Sequence, residues 1–214
     1  MGGRAVKERL IEGDACVAEG VAWLCQAEPC FAKAMDGLPP LPLRRNPDGF
    51  AELFFTIVSQ QVSVASAEAV WRRLQAAGMT TPQAVAAASA DDLRALGLTR
   101  QKAQYAHALA AYGIDYDALR VMPAPKVIKT LTAVPGIGPW TAEIYVMFSL
   151  GRADVFAPGD LALQEATKLI FDLPERPREK DLRAMAQAWS PWRSVAARIM
   201  WAYYQHHKQR EGIR

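Results

Sequence analysis

Apolar residues recur at spacings of three and four through most of this chain, and strand-like alternation is hard to find. The pattern predicts an all-α fold. A first helical stretch covers roughly residues 5–26. Gly37-Leu38-Pro39-Pro40-Leu41-Pro42-Leu43 then reads as an extended linker, because successive prolines cannot continue a helix. From Pro47 a long apolar helix places Phe50, Leu53, Phe54, Ile57 and Val58 on one face. Another runs through Val64, Ala67, Val70 and Leu74 and ends at Gly78. Short helices are predicted over residues 82–88 and 90–96, and a longer one over 100–112 with Thr99 as its cap. Pro123 starts a helix that runs into Val134-Pro135-Gly136-Ile137-Gly138. Pro139 opens the next one, at a position with no N–H to lose.

Near the C-terminus, Trp192, Val195, Ala196, Ile199, Met200, Tyr203 and Tyr204 form an amphipathic stripe. Trp201 is off it, roughly opposite Trp192 on a helical wheel, so it needs another surface or another task. Residues 205–214 are polar and are expected to fray.

A chain of 214 residues, 51% hydrophobic and 22% charged, has material for one large domain or two small lobes. Its net charge of +3 only weakly favours a nucleic-acid partner. Arg4, Lys7, Glu8 and Arg9 are followed by no apolar leader, and no apolar run is long enough to cross a bilayer. A soluble cytoplasmic protein is expected, with monomer as the default. Cys16, Cys25 and Cys30 read as reduced, partly buried thiols. His107, His206 and His207 show neither triad nor metal spacing and read as surface residues.

The most informative segment is residues 131–160. Gly136 and Gly138 make a tight turn between two helices and let the backbone approach a ligand. Bare N–H groups near Gly136, Gly138 and Trp140, at the positive end of a helix, form a phosphate site. One helix later, Pro158-Gly159 leads into Asp160, which precedes Leu161 and also suits a helix N-cap. A fixed carboxylate there can act on whatever the phosphate holds.

This pairing resembles the helix-hairpin-helix-GPD superfamily of DNA glycosylases, and within it the DNA-3-methyladenine glycosylase II branch. The likeness runs from about Phe50 to Tyr204. It implies a two-lobed helical fold with a DNA-binding cleft between the lobes. Residues 47–150 would form the hairpin-bearing lobe, and 1–46 with 151–214 the second, in a compact form without the N-terminal β domain of some relatives. Asp160 takes the catalytic place, where a carboxylate stabilises positive charge growing on the sugar. Bifunctional relatives carry a nucleophilic lysine where this chain has Trp140, and no lysine lies between Lys129 and Lys168. The resemblance therefore implies hydrolysis without strand cleavage.

By the same resemblance Trp140, Ile144 and Trp201 line the base pocket, with Ile144 where some relatives have tyrosine. Electron-rich rings suit a cationic alkylated purine, which must be flipped from the duplex to reach them. Gln61, beside Gln60, takes the place of the wedge that fills the gap left by the flipped base. Gly136, Ile137, Gly138 and Trp140 form the phosphate hairpin, and the carbonyls of Thr132, Val134 and Ile137 would hold a sodium or potassium ion. No organic cofactor is implied. No cysteine follows Cys30, so the four-cysteine iron–sulfur cluster of some relatives is excluded. Arg44, Arg45, Arg100, Lys102, Lys126 and Lys129 are candidates for further phosphate contacts, though each alone reads as surface charge.

The expectation is a monofunctional DNA glycosylase that removes alkylated purines, of the 3-methyladenine and 7-methylguanine class, from damaged double-stranded DNA in base excision repair. The alternatives are a glycosylase for deaminated or mismatched bases, and a helix-hairpin-helix DNA-binding module without catalysis.

Overall fold

The computed structural model describes residues 8–210. Among the described residues no helix is long and apolar enough to cross a membrane. Helices are α1 Asp14–Ala27, α2 Pro29–Met35, α3 Phe50–Ser59, α4 Val64–Ala76, α5 Pro82–Ala87, α6 Ala90–Ala95 and α7 Arg100–Tyr112. They continue with α8 Tyr116–Val121, α9 Ala124–Thr132, α10 Pro139–Phe148, α11 Leu161–Ile170, α12 Glu179–Met185 and α13 Arg193–Arg210. The chain divides into two compact units, one from Asn46 to Tyr145, the other the chain up to Arg45 together with Val146 onward.

The Asn46–Tyr145 unit is built on α3. Phe50, Leu53, Phe54, Ile57 and Val58 are buried, and the helix packs on α4 and α7. Phe54 and Phe55 both pack on Trp71 of α4, at centroid distances of 5.6 and 5.3 Å. Side chains of this size each contribute about 1.5–3 kcal/mol on full burial. The helix boundaries follow local chemistry. Ser63, Thr81, Ser89, Thr99 and Asp115 each accept a first-turn backbone N–H, and α7 stops at Gly113 in the left-handed region. Arg120 bridges to Asp48, and the Gly49 amide donates to the Tyr145 hydroxyl at 2.8 Å, which ties the entry of α3 to α8 and α10. Burial pushes the Tyr145 phenol up to about 12.

The other unit is organised around α13, with Trp192, Val195, Ala196, Ile199 and Met200 buried against α1, α2 and α11. Gly20 of α1 lets α13 pass closely. A Cβ there would lie 2.7 Å from Val195 and 2.8 Å from Trp192. Phe31, Phe156, Phe171 and Trp189 form an aromatic cluster beneath α2.

Several expectations are corrected. The predicted first helix begins at Asp14; residues 5–7 lie outside the described residues, and Leu10 instead bridges to Arg152. Short helices α2 and α8 interrupt stretches left unassigned. The polar end does not fray at residue 205, since α13 continues to Arg210; residues 211–214 lie outside the described residues. His107 is half-buried, its Nε2 3.1 Å from the Ala88 carbonyl, and His207 stacks on Tyr203. The reading of Cys16, Cys25 and Cys30 as partly buried free thiols, by contrast, stands.

Candidate nucleic-acid interface and catalytic carboxylate

The hairpin joins α9 to α10. The amides of Val134 and Ile137 donate to the carbonyls of Leu131 and Val134, at 3.0 and 3.1 Å, and both side chains are buried. These two anchors fix the turn, so the segment between them cannot sag into the core. Gly136 has φ +91°, and a Cβ there would sit 2.4 Å from Cγ of Tyr105. Glycine is demanded twice, by backbone and by space. Gly138 differs: its φ is not in the left-handed region, and a Cβ would meet nothing. It stands immediately before α10, and its carbonyl accepts the Ala142 amide at 3.0 Å. An added methyl would therefore meet no atom of the protein within 4 Å.

Gln60 Nε2 donates to the Gly136 carbonyl at 2.9 Å. The bond gives Gln60 a contact that its neighbour Gln61 does not share. Gln60 is a tether between the α3–α4 junction and the hairpin. Gln61 is exposed and adopts φ +56°, a left-handed conformation uncommon for a residue with a side chain. Lys102 Nζ donates to the Val58 carbonyl at 2.6 Å, closing the end of α3 beside this junction, and burial lowers its pKa. Lys102 is thus committed to the fold, as is Arg45, which donates to the carbonyls of Ile11 and Ser149. Arg100, Lys126 and Lys129 are exposed. On α10, Trp140 is 40% exposed and Ile144, one turn on, is half-buried. The Val134 carbonyl, one of the three named for an ion, already accepts the Ile137 amide, which leaves it one lone pair for a cation.

In the other unit the segment before Asp160 is held at many points. Ser194 Oγ donates to the carbonyls of Arg152 and Val155, and Gln164 Nε2 to that of Pro158. Arg193 makes two bonds to Asp154, at 2.6 and 3.0 Å, and Ser190 adds a third. Burial disfavours charge on Asp154, but these bonds outweigh it and hold its pKa below the ordinary carboxylate value. Asp160 follows as the N-cap of α11. Its Oδ1 accepts the Leu163 amide at 3.1 Å and the Trp201 indole N–H at 3.2 Å. The carboxylate is half-buried and aimed by two donors from different helices. Trp201, set off the buried stripe of α13, thus directs a carboxylate as well as presenting a ring.

Beside Trp201 lies a cavity of about 490 Å³ whose lining includes Arg44, Arg198, Gln205 and His206. The ring of Phe148 packs on Trp201 at 5.6 Å, with the Arg44 guanidinium 4.9 Å from Phe148 and 5.5 Å from Trp201. Phe148 and Arg198 carry no signal in the sequence, because helical periodicity gives burial and not a partner. Arg44 was legible only as a candidate phosphate contact.

The family model of HhH-GPD superfamily base excision DNA repair proteins matches residues 54–193. The chain is 33% identical over 124 residues to YfjP of Bacillus subtilis, which bears a DNA-3-methyladenine glycosylase name, and the match covers 56% of this chain and 43% of that protein. It is 30% identical over 177 residues to DNA-3-methyladenine glycosylase 2 of Escherichia coli, covering 76% of this chain and 60% of the relative. The crystal structure of a DNA-3-methyladenine glycosidase from Bacillus halodurans superposes with a TM-score of 0.81 at 28% identity, covering 95% of each chain. The matched span contains both the hairpin and the fixed carboxylate, and the chain belongs to the HhH-GPD superfamily of base excision DNA repair proteins.

Proposed function

We propose that this protein is a monofunctional DNA glycosylase that hydrolyses the N-glycosidic bond of alkylated purines in double-stranded DNA. The observation that carries the reading is Asp160, a carboxylate held by the Leu163 amide and the Trp201 indole at the end of a pinned segment. A preorganised negative charge stabilises the cationic sugar that forms as the base departs, and it needs no reorganisation at the moment of reaction. It also orients the water that attacks C1′. The names of the relatives point to 3-methyladenine as a substrate.

The remaining residues take roles around this centre. The hairpin at Gly136 to Trp140 holds a DNA phosphate through first-turn amides, without reading sequence. The carbonyls of Thr132, Val134 and Ile137 are hard neutral oxygens of a kind that suits sodium or potassium, which would add positive charge beside that phosphate. Gln61 fills the gap in the stack, and its amide can bond to the orphaned partner base. The Trp201 ring offers a face for the extruded purine. Trp140 has no nucleophilic nitrogen of the lysine kind, so no covalent sugar adduct forms and the strand is left intact.

A panel of duplex oligonucleotides bearing 3-methyladenine, 7-methylguanine, hypoxanthine and uracil tests this reading. The expected products are free alkylpurine and uncut abasic strands. Release of uracil alone would move the assignment to deaminated bases. Binding without release of any base would reduce the protein to a DNA-binding module, and efficient borohydride trapping of a protein–DNA adduct would contradict the monofunctional chemistry.

A further inference from the structure

We propose that Gln60 is a positioning residue that joins the phosphate hairpin to the wedge, so that gripping a phosphate and placing Gln61 become one event; the inference rests on the roles given above to the hairpin and to Gln61. All the residues involved belong to the Asn46–Tyr145 unit.

Both ends of the tether are fixed. Gln60 closes α3, and its backbone amide donates to the Ile57 carbonyl at 3.3 Å. Lys102 Nζ holds the neighbouring Val58 carbonyl. From this end the half-buried Gln60 side chain reaches the Gly136 carbonyl at 2.9 Å. The peptide it meets has no freedom to turn. Its carbonyl accepts from Gln60, its amide, that of Ile137, donates to Val134, and the Tyr105 ring packs against Gly136. Beyond Gln60 the chain is anchored again at Ser63, whose hydroxyl accepts the Ser66 amide as the cap of α4. Only Gln61 and Val62 span the two anchors, and both are exposed. Gln61 keeps φ +56° there, a conformation that persists only when its surroundings impose it.

A wedge mounted on the grip arrives at a set distance from the bound phosphate. Successive nucleotides of one strand advance by about 3.4 Å along the duplex axis. Slack of that order would present Gln61 to the wrong nucleotide, and a direct hydrogen bond to the hairpin backbone removes it. Once the phosphate is held, wedge insertion is an intramolecular step with a high effective concentration. Loss of the tether therefore affects two states unequally. An undamaged, stacked duplex loses only the support given to the hairpin. A duplex with a gap in its stack loses that support and the correctly placed Gln61 as well.

The test compares affinity for an undamaged duplex with affinity for the same duplex carrying a tetrahydrofuran abasic analogue, for the wild-type protein, Gln60→Met and Gln60→Lys. Gln60→Met keeps the length of the side chain without its donor. It should weaken undamaged binding roughly fivefold and abasic binding roughly fiftyfold, so that the preference for the gap falls about tenfold. Gln60→Lys returns a donor of similar reach and should restore the preference. In the Gln60→Met background a further Gln61→Ala change should cost little. An unchanged preference in Gln60→Met, or one lowered equally in Gln60→Lys, would overturn the proposal and leave Gln60 as a support of the hairpin alone. A wild-type protein with no preference for the gap would remove the wedge and the proposal together. Preference without release of any base would defeat only the role given to Asp160. Should urea denaturation show Gln60→Met unfolded, Gly138→Ala and Gln61→Ala decide, made singly and together with Gln60 intact. The loss from Gln61→Ala on the abasic analogue should shrink at least about threefold in the Gly138→Ala background, and strict additivity would overturn the proposal.

Discussion

Gly136→Ala and Gly138→Ala make the same chemical change two residues apart and should fail in different ways. At Gly136 the new Cβ meets Tyr105 at 2.4 Å, on a backbone with φ +91°. The left-handed backbone costs an alanine about 1–2 kcal/mol, and overpacking adds about 1–3 kcal/mol. The sum, about 2–5 kcal/mol, corresponds to a fall in Tm of roughly 5–15 °C for a chain of this length. At Gly138 neither penalty exists, because a Cβ meets nothing there. Replacing glycine without strain reduces the freedom of the unfolded chain, so Gly138→Ala should be neutral or up to about 1 kcal/mol more stable. Yet on the role proposed for the hairpin its methyl stands where the DNA phosphate would approach. Urea denaturation with fluorescence-anisotropy binding to an undamaged duplex separates the two. Gly136→Ala should lose stability and affinity together; Gly138→Ala should lose affinity, roughly tenfold or more, at undiminished stability. Adding Tyr105→Ala should recover part of the stability lost by Gly136→Ala, the part due to the clash. Wild-type affinity in Gly138→Ala would refute the phosphate role of the hairpin.

Three further outcomes follow from the same geometry. Gln60→Ala removes the bond to the Gly136 carbonyl, worth about 1 kcal/mol, and should weaken undamaged-duplex binding roughly fivefold, whereas Gln61→Ala should leave that binding unchanged and slow excision from duplex but not from single strands. Trp201→Phe keeps a ring but loses the donor to Asp160; single-turnover base release should slow about tenfold, with undamaged-duplex affinity unaltered. Asp154 has a folded pKa below its ordinary 3.8, so its contribution is full above that value and is lost as pH falls through the lower folded value. Urea midpoints should show Asp154→Asn destabilising by about 1–2 kcal/mol at pH 7 and by less below pH 3, and an equal loss at both pH values would remove the linkage.

The helical frame was legible wherever local chemistry decides it. The side chains of Thr99 and Ser63 cap α7 and α4, and the spacing of Phe50 to Val58 names the buried face of α3. What escaped was decided at long range or by short helices. Leu10 and Ile11 look like the start of a helix, but their backbone pairs with residues 151–152. The helices α2 and α8 each span only a turn or two, too little for periodicity to register. Asp160 and Trp201 could both be named from the sequence, but 41 residues separate them, and nothing in either position says that one donates to the other. The tether from Gln60 to Gly136 spans 76 residues and was invisible for the same reason.

The central claim is that the charge of Asp160 drives base release, and Asp160→Asn tests it most directly. Asparagine is an equally good N-cap and keeps a carbonyl oxygen able to accept from Leu163 and Trp201, so the fold and the DNA affinity should persist while the charge is gone. Measured in single turnover on a duplex containing 7-methylguanine, release should slow roughly 10²- to 10³-fold with affinity for the damaged duplex retained. Base release by Asp160→Asn at close to the wild-type rate would contradict the account.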